Sequence, residues 1–416
     1  MVLSWSDMVR VFGRIGLLSF GGPAAQIALM HDTLVHRHKW LNEDQYLRAL
    51  SLCMLLPGPE AMQLATYAGW RLRGVAGGVL AGLLFVGPGA LVILALALGY
   101  IRYGDVPMVQ AAFLGIKAAV VVVVLQALLR LGRKALVGAQ AWALAAAAFV
   151  ALFVFGLPFP VIVLLAGAIG YAMGKRVTVP APRNPVRVNT LRTVATWGAL
   201  WAAPLALLWA FDQEFLLSLG TFFSKLAVVT FGGAYAVLAY MTQTVVQDFG
   251  WITTGEMIDA LGLAETTPGP LILVTEFVAV LAGHAQGGVG MALAAGLVAL
   301  WVTFVPCFLW IFVAGPYLDH IAARPRLAAA LRGITAAVVG VILNLSLWFA
   351  LHVWFGKIGS GGALALPRPD VASLDMVALG LTGVAGVLLI GLRLGLLKVL
   401  ALMVLAGCAL SLIGTT

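Results

Sequence analysis

Residues 12–59 begin FGRIGLLSFGGPAAQIALM and end SLCMLLPGP, and residues 223–270 repeat this pattern with FSKLAVVTFGGAYAVLAYM and GLAETTPGP. The two stretches align without a gap at a spacing of 211 residues, with 16 identities in 48 positions. A shared apolar composition does not explain identities that include Trp40 with Trp251 and both Pro-Gly-Pro triplets. A second match joins residues 115–121 to residues 333–339. The chain is therefore predicted to be a fused duplication.

The composition around this repeat is strongly apolar. The 416 residues are 62% hydrophobic and 10% charged, whereas soluble domains average about 25% charged residues. This composition predicts an integral membrane protein, and no enzymatic activity is expected. The three cysteines lie far apart in apolar segments, which predicts neither disulfides nor a cysteine metal site.

Nine apolar stretches are long enough to cross the hydrocarbon core, which takes about 20 residues. They are residues 75–101, 107–129, 135–156, 158–174, 194–211, 287–316, 327–352, 374–391 and 394–412. Four further stretches are interrupted by Gly and Pro, so that each piece reaches only the midplane. They are residues 8–36, broken at 20–23, residues 43–73, broken at 57–59, residues 221–247, broken at 231–233, and residues 255–283, broken at 268–270.

The positions of Lys and Arg predict opposite orientations for the two copies. The linker at residues 175–192 is basic and has no acid, which places it in the cytoplasm. The span at 194–211 then delivers the second copy to the opposite face, whereas parallel repeats would put one basic loop outside. We expect an all-α membrane protein with two inverted repeats, each of two broken or re-entrant segments and four spanning helices. The predicted boundaries are residues 1–174, a linker with an extra span at 175–211, and residues 212–416.

Inverted repeats with broken helices are typical of secondary transporters, whose substrate sites lie near the midplane. Each break exposes backbone N–H groups at the start of a half-helix, together with the positive end of its dipole. Four such ends favour an anion. The alternative, that Gly and Pro are simply common in membrane helices, does not account for four breaks at equivalent positions.

Cations within these segments are the next signal, because charge at membrane depth is usually paired or functional. Arg14 and Lys225 occupy the same repeat position, and each is a candidate either to hold an anion or to snorkel to the interface. Lys117 lies within a span with no acid nearby in sequence, which favours a role in holding an anion. Its repeat partner, Thr335, is neutral.

Three acids lie at or near the Pro-Gly-Pro breaks: Glu60 directly follows the first, Glu265 precedes the second, and Glu276 lies eight residues past Pro268. Each is a candidate for proton or charge coupling, or for a salt bridge to one of the cations. The six histidines are scattered, and His31, His36 and His38 have no carboxylate arranged to make a metal site. The sequence therefore predicts no metal site and no cofactor.

The breaks also resemble those of a known family. FGGPA at residues 20–24, QIA at 26–28, Trp40, LPGP at 56–59, and the repeated FGG at 231–233 and TPGP at 267–270 are similar to the chromate ion transporter family in its long, two-domain form. The resemblance covers nearly the whole chain. It implies a multi-pass carrier of the cytoplasmic (inner) membrane that expels chromate and gives chromate resistance. Ala234 departs from the pattern by replacing proline, so the two half-sites need not be equivalent.

The expected mechanism is alternating access around a midplane site for a tetrahedral dianion. The expected substrate-binding residues are Arg14, Phe20, Gly21, Gly22, Pro23, Gln26, Pro57, Gly58, Pro59, Gln63, Lys117, Lys225, Thr230, Phe231, Gly232, Gly233, Thr266, Thr267, Pro268, Gly269 and Pro270. A sulfate-like oxyanion carrier, an anion channel and a scaffold subunit are the alternatives. The expected partners are chromate or a sulfate-like oxyanion and the lipid bilayer, with no nucleic acid, and the sequence leaves a homodimer open.

Overall fold

A computed structural model describes residues 4–174, 189–231, 234–318, 324–360 and 367–413. Within these ranges the chain is almost entirely helical. Five of the described helices have the length and apolar composition to cross a membrane: Glu60–Tyr103, Pro107–Ala135, Thr190–Ala210, Leu271–Tyr317 and Pro325–Trp354. The architecture is that of an all-α, multi-pass membrane protein.

Described residues 4–174 form seven α-helices before the linker. They are α1 (Trp5–Leu18), α2 (Gly22–His31), α3 (Glu43–Leu55), α4 (Glu60–Tyr103), α5 (Pro107–Ala135), α6 (Ala139–Phe153) and α7 (Phe159–Met173). A π-helical turn, Asp32–Arg37, extends α2. Most of the basic linker lies outside the described residues, and α8 (Thr190–Ala210) follows it.

The second half follows the same order. It contains α9 (Glu214–Val229), α10 (Ala234–Thr242), α11 (Thr254–Thr266), α12 (Val274–Ala314), α13 (Pro325–Trp354), α14 (Met376–Gly386) and α15 (Leu396–Leu412). π-Helical turns extend α10 (Gln243–Asp248) and α14 (Val387–Gly391), and short 3₁₀ turns lie at Leu271–Leu273, Gly315–Tyr317 and Val371–Ser373. Two short antiparallel strands, β1 (Ile358–Ser360) and β2 (Pro367–Pro369), lie between α13 and α14 and were not predicted.

Local backbone structure recurs between the two halves. The π-helical turns at Asp32–Arg37 and Gln243–Asp248 are 211 residues apart. Reciprocal side chain to backbone bonds begin α3 and α11 at the same spacing, from Asn42 with Gln45 and from Thr253 with Glu256. Each of the two longest helices also contains one kink, at Gly74 (φ 64, ψ −159) in α4 and at Gly288 (φ 68, ψ −159) in α12. The duplication is thus present in the backbone, while the orientation of the copies across a membrane stays a prediction.

The predicted breaks appear where the Gly and Pro motifs lie. Between α1 and α2 the helix is interrupted at residues 19–21, between α3 and α4 at residues 56–59, and between α11 and α12 at residues 267–270. The fourth break separates α9 from α10, and its Gly232 and Gly233 lie outside the described residues.

Four of the nine predicted spans are helices shorter than a full-length span. Residues 135–156, 158–174 and 394–412 contain α6, α7 and α15, of 15, 15 and 17 residues. In residues 374–391, α14 and the π-helical turn that extends it form one helix, Met376–Gly391. At 1.5 Å per residue, 17 residues make about 26 Å of helix, less than the roughly 30 Å of hydrocarbon. Apolar turn residues such as Val154 and Phe155, which follow α6, cannot be told from helix by hydropathy alone, and this lengthened the prediction.

Contacts divide the chain into two compact units. The first contains Met1–Ala97, Gly174–Ala234 and Thr267–Ala328, and the second contains Leu98–Met173, Tyr235–Thr266 and Ala329–Thr416. Within the first unit α12 packs against α8 and α9, and within the second α5 packs against α11, α14 and α15. Each unit draws on both halves of the sequence. The predicted boundaries at residues 1–174 and 212–416 describe the two copies of the duplicated sequence, which are not the same as the two compact units. These boundaries stay a prediction.

Candidate functional site

Two backbone hydrogen bonds join the helix breaks of the first unit. The amide of Gly58 donates to the carbonyl oxygen of Thr230 at 2.8 Å, and the amide of Gly269 donates to the carbonyl oxygen of Ser19 at 2.9 Å. Because 58 and 269 are repeat equivalents, as are 19 and 230, the same bond is made twice. Each bond runs from the Pro-Gly-Pro break of one copy to the Phe-Gly-Gly break of the other. Several predicted substrate-binding residues of both copies either make these bonds or lie next to a residue that does. They are Phe20, Pro57, Gly58, Thr230, Phe231, Pro268 and Gly269.

The two accepting carbonyls are presented in the same way. The Ser19 hydroxyl donates to the Ile15 carbonyl at 2.5 Å, and the Thr230 hydroxyl donates to the Leu226 carbonyl at 2.6 Å. Both hydroxyls thus satisfy a carbonyl in the last turn of the preceding half-helix. The backbone then leaves helical geometry, with ψ 64 at Ser19 and ψ 83 at Thr230. The carbonyls of Ser19 and Thr230 therefore have no partner in their own helix and accept from the other copy.

Gly58 has a conformation and an environment that exclude a side chain. Its φ is +116, and a Cβ at this position would lie 2.9 Å from both Cys307 Sγ and Gln63 Nε2. Gly269, its equivalent, has φ +92, and a Cβ there would lie 2.9 Å from a Leu273 methyl carbon. The positive φ at both positions favours glycine, and a Cβ at either would displace a neighbouring side chain.

Two buried glutamines brace the breaks. Gln26 Nε2 donates to the carbonyls of Gly269, at 2.6 Å, and Ser19, at 3.2 Å, and Gln63 Nε2 donates to the Pro57 carbonyl at 2.6 Å. Both Oε1 atoms are buried without a hydrogen-bond partner among the described residues. Both hydrogens of the Gln26 amide are donated to backbone carbonyls, so this side chain braces the two breaks, and its role in substrate binding stays a prediction. A buried acceptor of this kind suits water or a protonated oxyanion.

A basic cavity of about 280 Å³ opens beside α1 and contains Arg14. It is lined by Arg10, Val11, Arg14, Ile15, Leu18, Leu29, Thr33, Arg37 and His38. Arg37 pairs with Asp32 at 2.6 Å. Arg10 and Arg14 form no ion pair among the described residues. Two guanidinium groups one turn apart without a carboxylate make this cavity attractive to anions.

Lys225, the repeat equivalent of Arg14, lies exposed on α9 and likewise has no ion pair within the described ranges. It is not part of the basic cavity. The structure therefore gives the two equivalent cations different surroundings.

Lys117 has a carboxylate partner that sequence reasoning missed. Its Nζ lies 3.2 Å from Asp259 Oδ1 in the second unit, and the Tyr100 hydroxyl donates to Asp259 Oδ2 at 2.8 Å. Asp259 is buried and lies on α11, within a predicted broken segment. A carboxylate within a membrane segment is energetically costly unless it is paired. The presence of Asp259 in a predicted broken segment was therefore enough to mark it as a candidate.

The three predicted acids have different environments. Glu276, on α12 in the first unit, is 2% exposed, and its Oε2 has no partner among the described residues. Glu265, in the second unit, accepts a hydrogen bond of 2.6 Å from the Tyr235 hydroxyl. Glu60 begins α4, where the helix dipole favours a carboxylate. Of these three acids, Glu276 is the one that is buried with a carboxylate oxygen unpartnered among the described residues.

The remaining predicted residues lie at the edges of the breaks. Gly21 and Gly22 have φ of +83 and +77, and Pro23 lies in the first turn of α2. The Thr266 hydroxyl donates to the Leu263 carbonyl at 2.7 Å, and Thr267 is buried. Pro59 immediately precedes α4, and Pro270 precedes the 3₁₀ turn that leads into α12.

Comparison with known proteins gives consistent matches. The chromate transporter family matches residues 6–171 and 217–412, one part in each half of the chain. The chain is 34% identical over 346 residues to a chromate transport protein of Pseudomonas aeruginosa, covering 82% of this chain and 80% of that protein. It is 28% identical over 413 residues to a chromate transport protein of Cupriavidus metallidurans, covering 97% and 91%.

A third relative is a probable chromate transport protein of Synechococcus elongatus, 30% identical over 345 residues, which cover 82% of this chain and 83% of that protein. No solved structure matches the chain significantly. The two-part match and the near full-length relatives lead to one conclusion. The chain belongs to the chromate transporter family.

Proposed function

We propose that the protein exports chromate across the cytoplasmic membrane by alternating access and so gives chromate resistance. Family membership and the names of three relatives support the substrate. The observation that carries the mechanism is the pair of equivalent bonds, Gly58 to Thr230 and Gly269 to Ser19. These bonds hold the broken helices of the two copies next to each other. Such an arrangement supports a substrate site where the two copies meet, as in transporters built from inverted repeats.

The starts of the half-helices hold the anion in this proposal. They are the half-helix N-termini at residues 21–26, 59–63, 232–236 and 270–274, of which Gly232 and Gly233 lie outside the described residues. The first non-proline residues of a helix have N–H groups without intrahelical partners, and these groups are the proposed donors. The helix dipoles add positive potential at the same ends. A tetrahedral dianion presents four oxygens, which suits several such ends around one site.

The basic cavity at Arg10 and Arg14 is the proposed place where the anion first binds. Lys225 supplies the equivalent charge from the other copy. Lys117 stays in the proposal with a condition, since its amine already faces Asp259 and an anion would have to compete with that carboxylate.

The driving force follows from charge. An inside-negative potential favours exit of a dianion by about 4.6 kcal/mol at 100 mV, twice the roughly 2.3 kcal/mol for one charge. Export therefore runs without a second ion or together with a proton. For the latter, Glu276 is the proposed proton carrier because it is buried with one oxygen unpartnered among the described residues.

The proposed topology places the basic linker in the cytoplasm and inverts residues 212–416 relative to residues 1–174. Its support is the basic linker with no acid between Asp105 and Asp212, and the span at α8 that changes the side of the membrane. The inner cell membrane is the proposed location on the same grounds.

Uptake of labelled chromate into inside-out membrane vesicles tests the proposal. We expect saturable uptake that increases with an inside-positive potential and decreases in Arg14→Ala. Sulfate as a competitor separates a chromate carrier from a general oxyanion carrier. A non-saturating, ohmic current that is unchanged in Arg14→Ala would instead identify a channel, and no uptake of either anion would leave the scaffold alternative.

A further inference from the structure

Outside the helix breaks, a π-helical turn places two histidines together. His31 ends α2, and His36 lies five residues later in the turn Asp32–Arg37. Residues five apart in an α-helix point about 140° apart, whereas the i→i+5 geometry of a π turn aligns them. The two rings are accordingly in contact, with centroids 4.8 Å apart and an edge-on angle of 88°.

Glu43 completes this cluster from the start of α3. Both of its carboxylate oxygens lie 2.9 Å from His31 Nε2. Backbone bonds from the amides of Trp40 and Leu41 to the Leu34 carbonyl fold the chain back, so that α3 begins beside the end of α2. The prediction that no carboxylate accompanies these histidines is therefore wrong, because the turn brings together residues twelve positions apart.

We propose that His31, His36 and Glu43 form a binding site for a first-row divalent cation, with zinc as the best fit. Two imidazole nitrogens and one carboxylate are a ligand set that zinc uses with water in the remaining position. One ligand atom from each residue lies within 4.8 Å of the others. Ligands about 2.0–2.1 Å from a tetrahedral zinc ion stand roughly 3.3 Å apart. The exposed His36 side chain closes this difference by rotating about its own bonds.

A second layer holds the innermost ligand in place. The Tyr46 ring contacts the His31 ring at 4.9 Å between centroids, and its hydroxyl donates to the Ile27 carbonyl at 2.6 Å. Tyr46 is buried, so it fixes one face of the imidazole. Such outer contacts orient metal-binding histidines.

The second copy supplies a natural comparison. The positions equivalent to the three ligands are Thr242, Gln247 and Thr254, none of which offers an imidazole or a carboxylate. The π-helical turn itself occurs in both copies. The turn therefore belongs to the fold, and the ligand set is particular to the first copy.

Binding here would connect two parts of the transporter's surface. A cation held by both α2 and α3 ties the end of one half-helix to the beginning of the next. Arg37 and His38, which line the basic cavity, follow His36 directly. The proposal does not depend on which anion the protein carries, so it and the proposed function can fail separately.

Cobalt and zinc titration of the full-length protein provides the test. The protein is purified in detergent with an affinity tag free of histidine, stripped with a chelator, and titrated with Co²⁺ while the d–d absorption is followed. We expect one saturable equivalent that Zn²⁺ displaces and a higher melting temperature with Zn²⁺. His36→Ala and Glu43→Gln should each weaken Co²⁺ binding at least about tenfold.

Matched controls are Gln247→Ala, at the position equivalent to His36, and His38→Ala, an exposed histidine two residues away. Both should bind Co²⁺ as the unchanged protein does. No saturable Co²⁺ signal, or equal affinity in His36→Ala and the unchanged protein, would overturn the proposal. His36 is exposed, so its replacement tests binding without disturbing buried structure.

Discussion

The backbone amide of Gly58 donates to the carbonyl oxygen of Thr230 at 2.8 Å, across 172 positions of sequence. Non-helical backbone inside a membrane is tolerated only when other groups satisfy its hydrogen bonds. Each Pro-Gly-Pro break of this protein is therefore held by the opposite copy. A substitution in one break should therefore disturb the backbone of both copies. The first two predictions follow from this.

Gly58→Ala should reduce chromate uptake by about tenfold or more. The substitution strains a backbone with φ +116, at a cost of about 1–3 kcal/mol, and places a methyl group 2.9 Å from Cys307 Sγ. Uptake into inside-out vesicles, normalised to the amount of protein, measures the effect. Gly87→Ala in α4 is the control, because a Cβ there meets nothing within 4 Å. Equal activity of the two variants would contradict the assigned role of Gly58.

Gln26→Glu should lower both stability and transport. The change keeps the shape of the side chain but turns its donor into an oxygen facing the Gly269 and Ser19 carbonyls. A loss of about 1–3 kcal/mol in the free energy of unfolding is expected for such a buried mismatch. Gln126→Glu, on α5 beside Arg130, is the control and should be neutral. Thermal stability in detergent, followed by uptake, gives the comparison, and an unaltered Gln26→Glu protein would count against the bracing role.

Arg14→Ala should raise the KM for chromate while changing the maximal rate little. Arg14 lines the basic cavity on α1, before the break at residues 19–21, and is assigned to capture of the anion. Loss of one charged contact worth about 1.4 kcal/mol corresponds to a tenfold higher KM. Arg14→Lys should retain much of the affinity. Arg102→Ala, exposed near the end of α4, serves as the control, and a KM unaffected by Arg14→Ala would exclude the cavity from the transport path.

Lys117 and Asp259 should be tested singly and together. Lys117→Met leaves the buried Asp259 carboxylate without its cation, at a cost of about 3–5 kcal/mol in stability. Asp259→Asn leaves the partly buried Lys117 amine unpaired and should cost less. The double variant Lys117→Met/Asp259→Met should recover stability because no unpaired charge is left. Uptake by this stable double variant decides the role of Lys117: recovered transport means that Lys117 only pairs with Asp259, and absent transport means that it also holds the anion.

Glu276→Gln should make chromate flux insensitive to an imposed pH gradient while the response to membrane potential remains. The glutamine is neutral at every pH, so a proton can no longer accompany the anion through this position. Glu214→Gln, exposed at the start of α9, is the matched control. If the Glu276→Gln protein responds to the pH gradient as the unchanged protein does, Glu276 carries no proton in the cycle.

The helix breaks could be predicted from sequence because their causes are local. Proline removes a backbone donor, and glycine permits positive φ, so the triplets at 57–59 and 268–270 mark helix ends whatever surrounds them. The partners of those breaks could not be predicted in the same way. The bond from Gly58 to Thr230 depends on how helices pack, and nothing in either residue's own sequence neighbourhood specifies it.

Two side-chain contacts were not predicted for the same reason, because they depend on how helices pack and not on local sequence. Asp259 could be recognised as an acid within a predicted broken segment, but its pairing with Lys117, 142 positions away, could not be read from the sequence around either residue. The contact of His31 with Glu43 required the π-helical turn, which no residue pattern announced. Hydropathy also overestimated the length of α6, because the residues that follow it are apolar but form the turn before α7.

The exchange of bonds between the breaks has a consequence for the history of the chain. Two identical subunits would have to place the same residue on both sides of every such contact, so each position would serve two roles. Joining the halves in one polypeptide removes that constraint and guarantees that each half meets its complement. Arg48 can then become Asp259, Gln26 can become Val237, and His31 can become Thr242 without loss of the shared framework. Tandem fusion thus permits division of labour between halves that began as copies.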